Sequence, residues 1–350
     1  MNFVIELNGW KVGVQIDNPD LGQLLINQFD TVAEVKVISD LELESFPYSV
    51  VRVGSLLGDG NHESDFLQDY RIYAERKAWG LEKSSFLITE NPTSLTVTDG
   101  MNIRVFCFKE EVDLAHIHHM IKYPLRHLLA QDGYVSIHAS GVAINETDGI
   151  LFVGPKGAGK TSILMEVLSS GCSTLGNDTV LLSLMNNKVY GTAWPHMYRL
   201  GKGTVNHNVH LHGYDFSPFK TAVDGKIELY IDVLNKVFKR PITKSNIEIK
   251  AVVEVKLVLN EDKIYLTCLN KSETKELIKE RLLNDRFATG WLPGWRWEED
   301  LEVLNDICQR IIDSNKVFRL VVGSNSIGWG RGKSAVLQLL NEIVNQGAAG

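Results

Sequence analysis

The chain has 350 residues, of which 44% are hydrophobic and 23% charged. These proportions are typical of a globular protein, and the length predicts two domains. Thirty-six Lys and Arg residues against 43 Asp and Glu residues give a net charge of −7. An acidic chain without a long basic run does not have the charge distribution of a general nucleic-acid binder, so no nucleic-acid partner is expected.

The start of the chain and its hydropathy predict a cytoplasmic protein. Residues 1–17 contain neither a basic stretch nor an apolar core of the kind found in signal peptides. No run of about 18 apolar residues is present, so no membrane span and no membrane partner are expected. The cysteines lie far apart without a CxxC pair, which predicts buried free thiols in a reducing compartment. They are Cys107, Cys172, Cys268 and Cys308.

Residues 1–130 are predicted to form a β-rich N-terminal domain for recognition or oligomerisation. Its first two strands flank Asn8-Gly9, a dipeptide typical of a tight hairpin turn. Apolar residues at three- and four-residue spacing predict a helix over Val112–Ala130, with a kink or a break at Pro124. Four histidines of this helix are interpreted as a polar helix face in preference to a metal site. They are His116, His118, His119 and His127.

Residues 131–350 mix strands and helices and are predicted to form the catalytic domain. Val135–Ala139 and Gly141–Ile144 are expected to be paired strands with a turn at Asn145–Gly149, and Ile150–Val153 has the apolar character of a buried strand. A hairpin turn at Asn260-Glu-Asp is expected to join Ala251–Leu259 to the strand that follows.

The segment from Gly154 to Thr161 matches the pattern GxxxxGK[ST] at every specified position. A predicted strand precedes it and a predicted helix follows, which is the context in which this pattern wraps a phosphate in backbone N–H groups. Lys160 would then contact the β- and γ-phosphates, and the Thr161 hydroxyl would bind Mg²⁺. ATP and Mg²⁺ are the expected cofactors. The predicted binding residues are Gly154, Pro155, Lys156, Gly157, Ala158, Gly159, Lys160, Thr161 and Ser162.

A second GKS sequence, Gly332-Lys-Ser334, does not fit the same pattern. The glycine required five residues before Gly332 is replaced by Ile327. This segment is interpreted as a flexible loop before the last helix.

Two polar residues flank the phosphate loop at defined distances. His138 lies before it, and Asp178 follows the strand expected after the loop's helix. Sheets of α/β proteins place active-site groups at such strand ends. The two side chains are therefore candidate catalytic residues.

A resemblance to a known family rests on four features: His138, the Gly154–Thr161 loop, Gly171 and the Asn177-Asp178 pair. In these features the chain resembles the catalytic domain of HPr kinase/phosphorylase and related bacterial P-loop serine kinases. The resemblance covers roughly residues 130–200. It implies an α/β fold with a mixed β-sheet, shared with phosphoenolpyruvate carboxykinase and preceded here by the β-rich α+β N-terminal domain.

The resemblance also implies roles for three side chains in phosphoryl transfer. Asp178 would act as the general base toward a hydroxyl, Lys160 would hold the transferring group, and His138 would lie beside the site. Two alternatives stay open: Asp178 as a Mg²⁺ ligand, and His138 as a core histidine bonded to the backbone.

The chain departs from this family at two points. HPr kinases carry two consecutive aspartates where this chain has Asn177-Asp178, and their downstream Glu-containing signature is not found. These departures favour an acceptor other than HPr, such as a serine of a precursor peptide or a small molecule. The alternatives are a nucleotide-binding accessory module with weak or no kinase activity and a plain ATPase or GTPase. Asn235-Lys-Val and Asn270-Lys-Ser lack the aspartate of a guanine-binding motif, which favours ATP.

Three weaker signals are left open. The tryptophan-rich segment Gly290–Trp297 is either a recognition loop or a cover over the core. His207, His210 and His212 are interpreted as substrate-side loop residues in preference to a metal site. Four arginines are candidates for a second charge on the transferred phosphate. They are Arg199, Arg286, Arg296 and Arg331.

Overall fold

The computed structural model describes residues 1–44, 46, 50–55, 72–75, 78–81, 85–89, 94–99, 102–107, 114–195, 197–219, 221–222, 224–283, 298–314, 316–323 and 335–345. These residues divide into two compact units. One holds residues 1–132, and the other holds residues 133–283 together with 298–345. No helix of the described part is both long and apolar enough to cross a membrane.

The first unit contains one mixed sheet whose strands lie in the order β3-β1-β2-β4-β9-β8-β7-β6-β5. Its strands are β1 Asn2–Leu7, β2 Trp10–Ile16, β3 Glu34–Val37, β4 Val50–Ser55, β5 Ile72–Glu75, β6 Ala78–Leu81, β7 Ser85–Thr89, β8 Ser94–Asp99 and β9 Asn102–Cys107. Its helices are α1 Pro19–Phe29, α2 Asp40–Glu44 and α3 Leu114–Gln131.

The hairpin expected at Asn8-Gly9 is present. β1 and β2 pair antiparallel with Leu7 opposite Trp10, and Asn8 and Gly9 have φ of 52° and 85°. Two successive positive φ angles define the turn whose twist matches that of the strands it joins. The sequence therefore determined this element through its turn residues.

Helix α3 runs as one helix with Pro124 inside it, so the break, one of the two alternatives expected at this residue, is absent. The interpretation of its histidines as a polar face is wrong at His118, which is 3% exposed and stacks on Phe29 with 4.6 Å between ring centroids. Packing against α1 therefore decides the surroundings of this imidazole. The side chains of His116 and His119 lie outside the described residues.

The second unit is built on another mixed sheet, in which β10-β14-β15-β18-β12-β11-β13 follow one another. Its strands are β10 Val135–Ile137, β11 Ser140–Ala143, β12 Asp148–Val153, β13 Ser173–Gly176, β14 Val180–Met185, β15 Lys188–Thr192, β18 Ile247–Val258, β19 Ile264–Cys268 and β20 Val317–Gly323. A separate pair is formed by β16 Tyr198–Leu200 and β17 Ile227–Leu229. The helices are α4 Lys160–Ser169, α5 Lys202–His207, α6 Ile231–Phe238, α7 Lys271–Ile278, α8 Glu298–Asp313 and α9 Ala335–Asn345, with a π-helical turn at Lys279–Leu283 after α7.

The strand β18 is the centre of this sheet. It pairs in parallel with β12 and with β20, and its first residues pair antiparallel with β15. Two expected pairings are therefore wrong. β19 pairs with β20 and not with β18, and β10 pairs with β14 while β11 pairs with β12 and β13. Beside β18 the position expected for β19 is taken by β20, and beside β10 the position expected for β11 is taken by β14. Both replacing strands are distant in sequence from the strand they pair with.

Both faces of this sheet are buried under helices. One apolar cluster joins the sheet to α4, α6 and α9, and a second joins it to α7 and α8. A sheet covered on both faces explains the continuous apolar run of β12, since parallel strands in such sheets have no solvent side.

The cysteines only partly match their prediction. Cys172 and Cys308 are buried free thiols, whereas Cys268 is exposed, which corrects the expectation for that residue. Burial raises the pKa of the Cys172 thiol to about 11 and that of Cys308 to about 12. Neither buried thiol is therefore activated as a nucleophile. The side chain of Cys107 lies outside the described residues.

Candidate active site

The segment Gly154–Gly159 connects the end of β12 to the start of α4 in a tight loop. Gly154 and Gly159 have φ of 146° and 97°, a region that side-chain-bearing residues rarely adopt. A Cβ atom at Gly154 would lie 3.0 Å from Val255 O, and one at Gly159 would lie 3.0 Å from Leu257 Cβ. The loop is held against β18 by a hydrogen bond from Leu257 N to Ala158 O of 3.0 Å. Glycine is thus required by both conformation and space.

Lys160 is the first residue of α4 and folds back over this loop. Its side chain is 7% exposed, and its Nζ donates to Gly154 O at 2.7 Å and to Pro155 O at 3.3 Å. The ammonium group therefore lies at the loop, beside the N-terminus of a helix whose first N–H groups have no intrahelical acceptor. Both features attract an anion to the same place.

A buried hydrogen-bond network connects α4 to the strand end after β13. Asn177 is fully buried, and its Oδ1 accepts from Thr161 Oγ1 at 3.1 Å and from Ser140 Oγ at 3.0 Å. Its Nδ2 is buried and has no hydrogen-bond partner among the residues that the structure describes. The sequence separations of 16 and 37 residues carry no pattern, so the sequence gives no signal for Ser140 as part of the site.

Asp178 follows Asn177 in a strained turn and lies next to His138. Its φ of 62° is in the left-handed region. His138 Nε2 and Asp178 Oδ1 are 3.9 Å apart, which is too long for a direct hydrogen bond but suits an ion pair with a protonated imidazole. The two side chains are 33% and 38% exposed, so each is accessible from solvent. The structure thus brings two of the three predicted catalytic residues, His138 and Asp178, next to each other.

Buried hydroxyl groups hold the turn that carries Asp178 in place through hydrogen bonds. Thr174 Oγ1 accepts from Gly176 N at 2.9 Å and donates to Gly141 O at 3.1 Å, and the Tyr198 hydroxyl donates to Thr174 Oγ1 at 3.4 Å. Burial raises the pKa of Tyr198 above its usual value, and the nearby Asp178 adds to the shift. The phenol is therefore neutral and acts as a structural donor.

The next helix after the turn contacts the start of α4. Ser162 Oγ lies 2.8 Å from Thr204 Oγ1 in α5, and Asn208 Nδ2 donates to Met165 O at 3.0 Å. The Ser162 hydroxyl is thus within hydrogen-bond distance of a protein hydroxyl. That hydroxyl belongs to α5, for which the sequence predicted no secondary structure.

The remaining predicted candidates are placed apart from this network or lie outside the described residues. Arg199 forms ion pairs with Asp224 at 3.1 Å and Glu228 at 3.4 Å, so its guanidinium already has two carboxylate partners. His210 packs on the ring of Phe238 with centroids 5.5 Å apart. Among the described residues, no group of three His, Cys, Asp or Glu side chains is arranged to hold a metal ion. Predictions for Arg286, Gly290–Trp297 with Arg296, and Arg331 with the Gly332-Lys-Ser334 loop fall outside the described residues.

The two sequences compared with a guanine-binding motif have structural roles. Asn270 caps α7 and forms a capping box with Glu273, and Asn235 Oδ1 accepts from Ile242 N at 3.0 Å. Each asparagine side chain is thus occupied by the backbone, as caps and turns require.

Comparison with known proteins gives matches among solved structures. No family model and no curated protein sequence matches the chain. Among solved structures, the HPr(Ser) kinase/phosphatase from Coxiella burnetii aligns with 61% of this chain and 99% of its own, with 11% sequence identity and a TM-score of 0.29. A TM-score this low does not establish a shared fold.

Proposed function

We propose that this protein binds Mg·ATP at the Gly154–Thr161 loop and transfers the γ-phosphoryl group to a hydroxyl, with Asp178 as the general base. The observation that carries the proposal is the hydrogen bond between Thr161 and Asn177 of 3.1 Å. It connects the phosphate loop directly to the turn that carries Asp178. A nucleotide-binding element and an exposed carboxylate thus belong to one site.

The loop has the properties that a triphosphate requires. Its glycines allow the backbone to curve, the N-terminus of α4 supplies partial positive charge, and the Lys160 ammonium adds a full charge. Phosphoryl transfer depends mainly on positioning and charge stabilisation, so this set would bind and orient the transferring group.

The residues present fit a magnesium ion. Thr161 donates its hydroxyl hydrogen to Asn177, which leaves the oxygen lone pairs of Thr161 available to a cation. Thr161 would hold the ion on one side, and Asp178 follows directly after its hydrogen-bond partner Asn177. When bound, the ion would neutralise charge on the phosphates.

Asp178 suits a general base because it is accessible and has an imidazole at 3.9 Å. His138 would orient the carboxylate. The acceptor is a serine of a protein or precursor peptide, or the hydroxyl of a small molecule. The proposed catalytic residues are therefore Asp178, His138 and Lys160.

A specific observation favours a second candidate, a nucleotide-binding accessory module with weak or no transfer. The group that contacts Thr161 is the uncharged amide of Asn177, so the buried part of the site contributes no negative charge toward a metal ion. In that case Mg·ATP would bind and no acceptor would be phosphorylated.

We expect Lys160→Ala to weaken Mg·ATP binding about a hundredfold, ~2.8 kcal/mol, because the charge-assisted contact to the phosphates is lost. Isothermal titration calorimetry measures this directly. Lys236→Ala is the matched control, since Lys236 is a 72% exposed lysine of the same unit. Equal affinities in the wild type and Lys160→Ala would refute nucleotide binding at this loop. Binding without transfer of labelled phosphate would favour the accessory module.

A further inference from the structure

The strand β3 lies at one edge of the sheet in the first unit. In the part of the chain that the structure describes, it pairs with β1 alone. Its residues are mostly exposed, and Val37 is 62% exposed although it is a large apolar residue. An exposed edge of this kind offers unpaired backbone groups to another strand.

The hydrogen-bond phase of the β1–β3 pair determines which backbone groups face outward. Ile38 N donates to Asn2 O at 3.1 Å, so Asn2 and Ile38 form a hydrogen-bonded pair. Since such pairs alternate in an antiparallel ladder, Lys36 and Glu34 also point their backbone groups toward β1. The N–H and C=O groups of Val35 and Val37 therefore point away from the sheet.

We infer that β3 pairs antiparallel with β3 of a second copy of this chain, with the twofold axis at Val35. The two Val35 residues then exchange both backbone hydrogen bonds, because their N–H and C=O groups already face outward. Val37 N–H meets the carbonyl of the partner's Ala33. The sheet continues through the dimer across the axis, as in edge-to-edge pairing of β-sheets.

Charge complementarity selects this pairing and this partner. Centring the ladder on Val35 places Glu34 opposite the partner's Lys36, and Lys36 opposite the partner's Glu34. These positions form non-hydrogen-bonded pairs, in which opposing side chains are closest and opposite charges are stabilising. Inside its own sheet, Glu34 lies opposite Glu6, a like-charged neighbour. The partner's lysine thus supplies the cation that β1 does not.

Charge reversal tests the dimer without changing the backbone. Sedimentation velocity at chain concentrations from about 1 to 200 µM suits an interface of this small size. We expect the wild type to dimerise, and Glu34→Lys and Lys36→Glu each to weaken dimerisation at least about tenfold, since each places like charges face to face. The double variant Glu34→Lys with Lys36→Glu restores opposite charges across the axis and should restore the dimer. Glu44→Lys, at an exposed acid of α2, changes the net charge as Glu34→Lys does and should leave dimerisation unchanged.

Each outcome decides the proposal. A monomeric wild type over the whole range overturns it, as does a dimer that the single variants leave intact. A dimer lost in both single variants and absent in the double variant also overturns it, because the charges would then act through another surface. Circular dichroism of each variant confirms folding, and Glu34→Lys places opposite charges at the Glu6 position of the β1–β3 ladder, which does not weaken the sheet.

Discussion

The Asp178 carboxylate is positioned by the buried residues that precede it in the turn. Asn177 is buried and bonded to two hydroxyls, and the turn between β13 and β14 has Gly176 and Asp178 at φ of 146° and 62°. Non-glycine residues in the left-handed region are uncommon and cost free energy unless the surroundings hold them. The network around Asn177 therefore orients the Asp178 carboxylate next to it.

We expect Asp178→Asn to keep Mg·ATP affinity within a few fold and to remove phosphoryl transfer. A general base acts on the acceptor hydroxyl and contributes little to nucleotide binding in the ground state. Asparagine tolerates φ near 60° as well as aspartate does, so the turn is preserved. The measurements are calorimetric affinity and transfer of labelled γ-phosphate to the acceptor. Loss of binding together with transfer would instead make Asp178 a magnesium ligand.

The sequence predicted the parts of this site that depend on local pattern. The spacing within Gly154–Thr161 and the position of Asp178 after a strand are visible in one stretch of chain. Ser140 and Thr204 were missed because each meets its partner through the sheet or between helices, 37 and 42 residues away. A single serine or threonine has no spacing that distinguishes a network member from a surface hydroxyl.

At the level of elements, the loop between β12 and α4 requires glycine at two positions for different reasons. Both Gly157 and Gly159 have positive φ, of 86° and 97°. A Cβ at Gly157 meets nothing within 4 Å, whereas one at Gly159 lies 3.0 Å from Leu257 Cβ in β18. A side chain at Gly157 would therefore strain only the backbone. A side chain at Gly159 would strain the backbone and also crowd Leu257.

We expect Gly159→Ala to lower the free energy of unfolding more than Gly157→Ala does. Alanine in the left-handed region costs about 1 kcal/mol at either position, and displacement of Leu257 adds about 1–2 kcal/mol at Gly159 alone. Urea denaturation of the two variants measures the difference, with Gly157→Ala as the matched control for strain. Equal losses would show that the loop moves away from β18 without cost.

Elements with local signals were predicted, and their long-range pairing was not. The β1–β2 hairpin follows from Asn8-Gly9, and the helix α3 follows from its apolar spacing. The neighbour of β18 could not be derived from Asn260, although its φ of 60° does turn the chain there. β20 enters between β18 and β19 because parallel pairing to β18 buries its apolar residues under α9. That preference involves residues more than fifty positions apart.

The stability of the whole molecule should depend on pH through Lys122 of α3. Its side chain is 6% exposed, and burial lowers its pKa from 10.5 to about 7. The unfolded chain therefore binds one more proton than the folded chain between these two values. Stability rises with pH wherever the unfolded state binds more protons. The free-energy cost of burying the charged Lys122 ammonium group therefore acts in full below pH 7 and disappears as the pH rises toward 10.5.

We expect Lys122 alone to add about 1 kcal/mol to the wild-type free energy of unfolding between about pH 7.5 and 8.5, a contribution isolated by comparison with a variant that keeps every thiol and phenol. Lys122→Met keeps the length and apolar contacts of the side chain without a charge to desolvate. The variant should lose this part of the slope and be more stable than the wild type near neutral pH. Lys11→Met, at a 41% exposed lysine of the same unit, is the control and should keep the wild-type slope. Urea denaturation across this pH range measures all three proteins. Parallel curves for the wild type and Lys122→Met would mean that Lys122 reaches water or a counter-charge in solution.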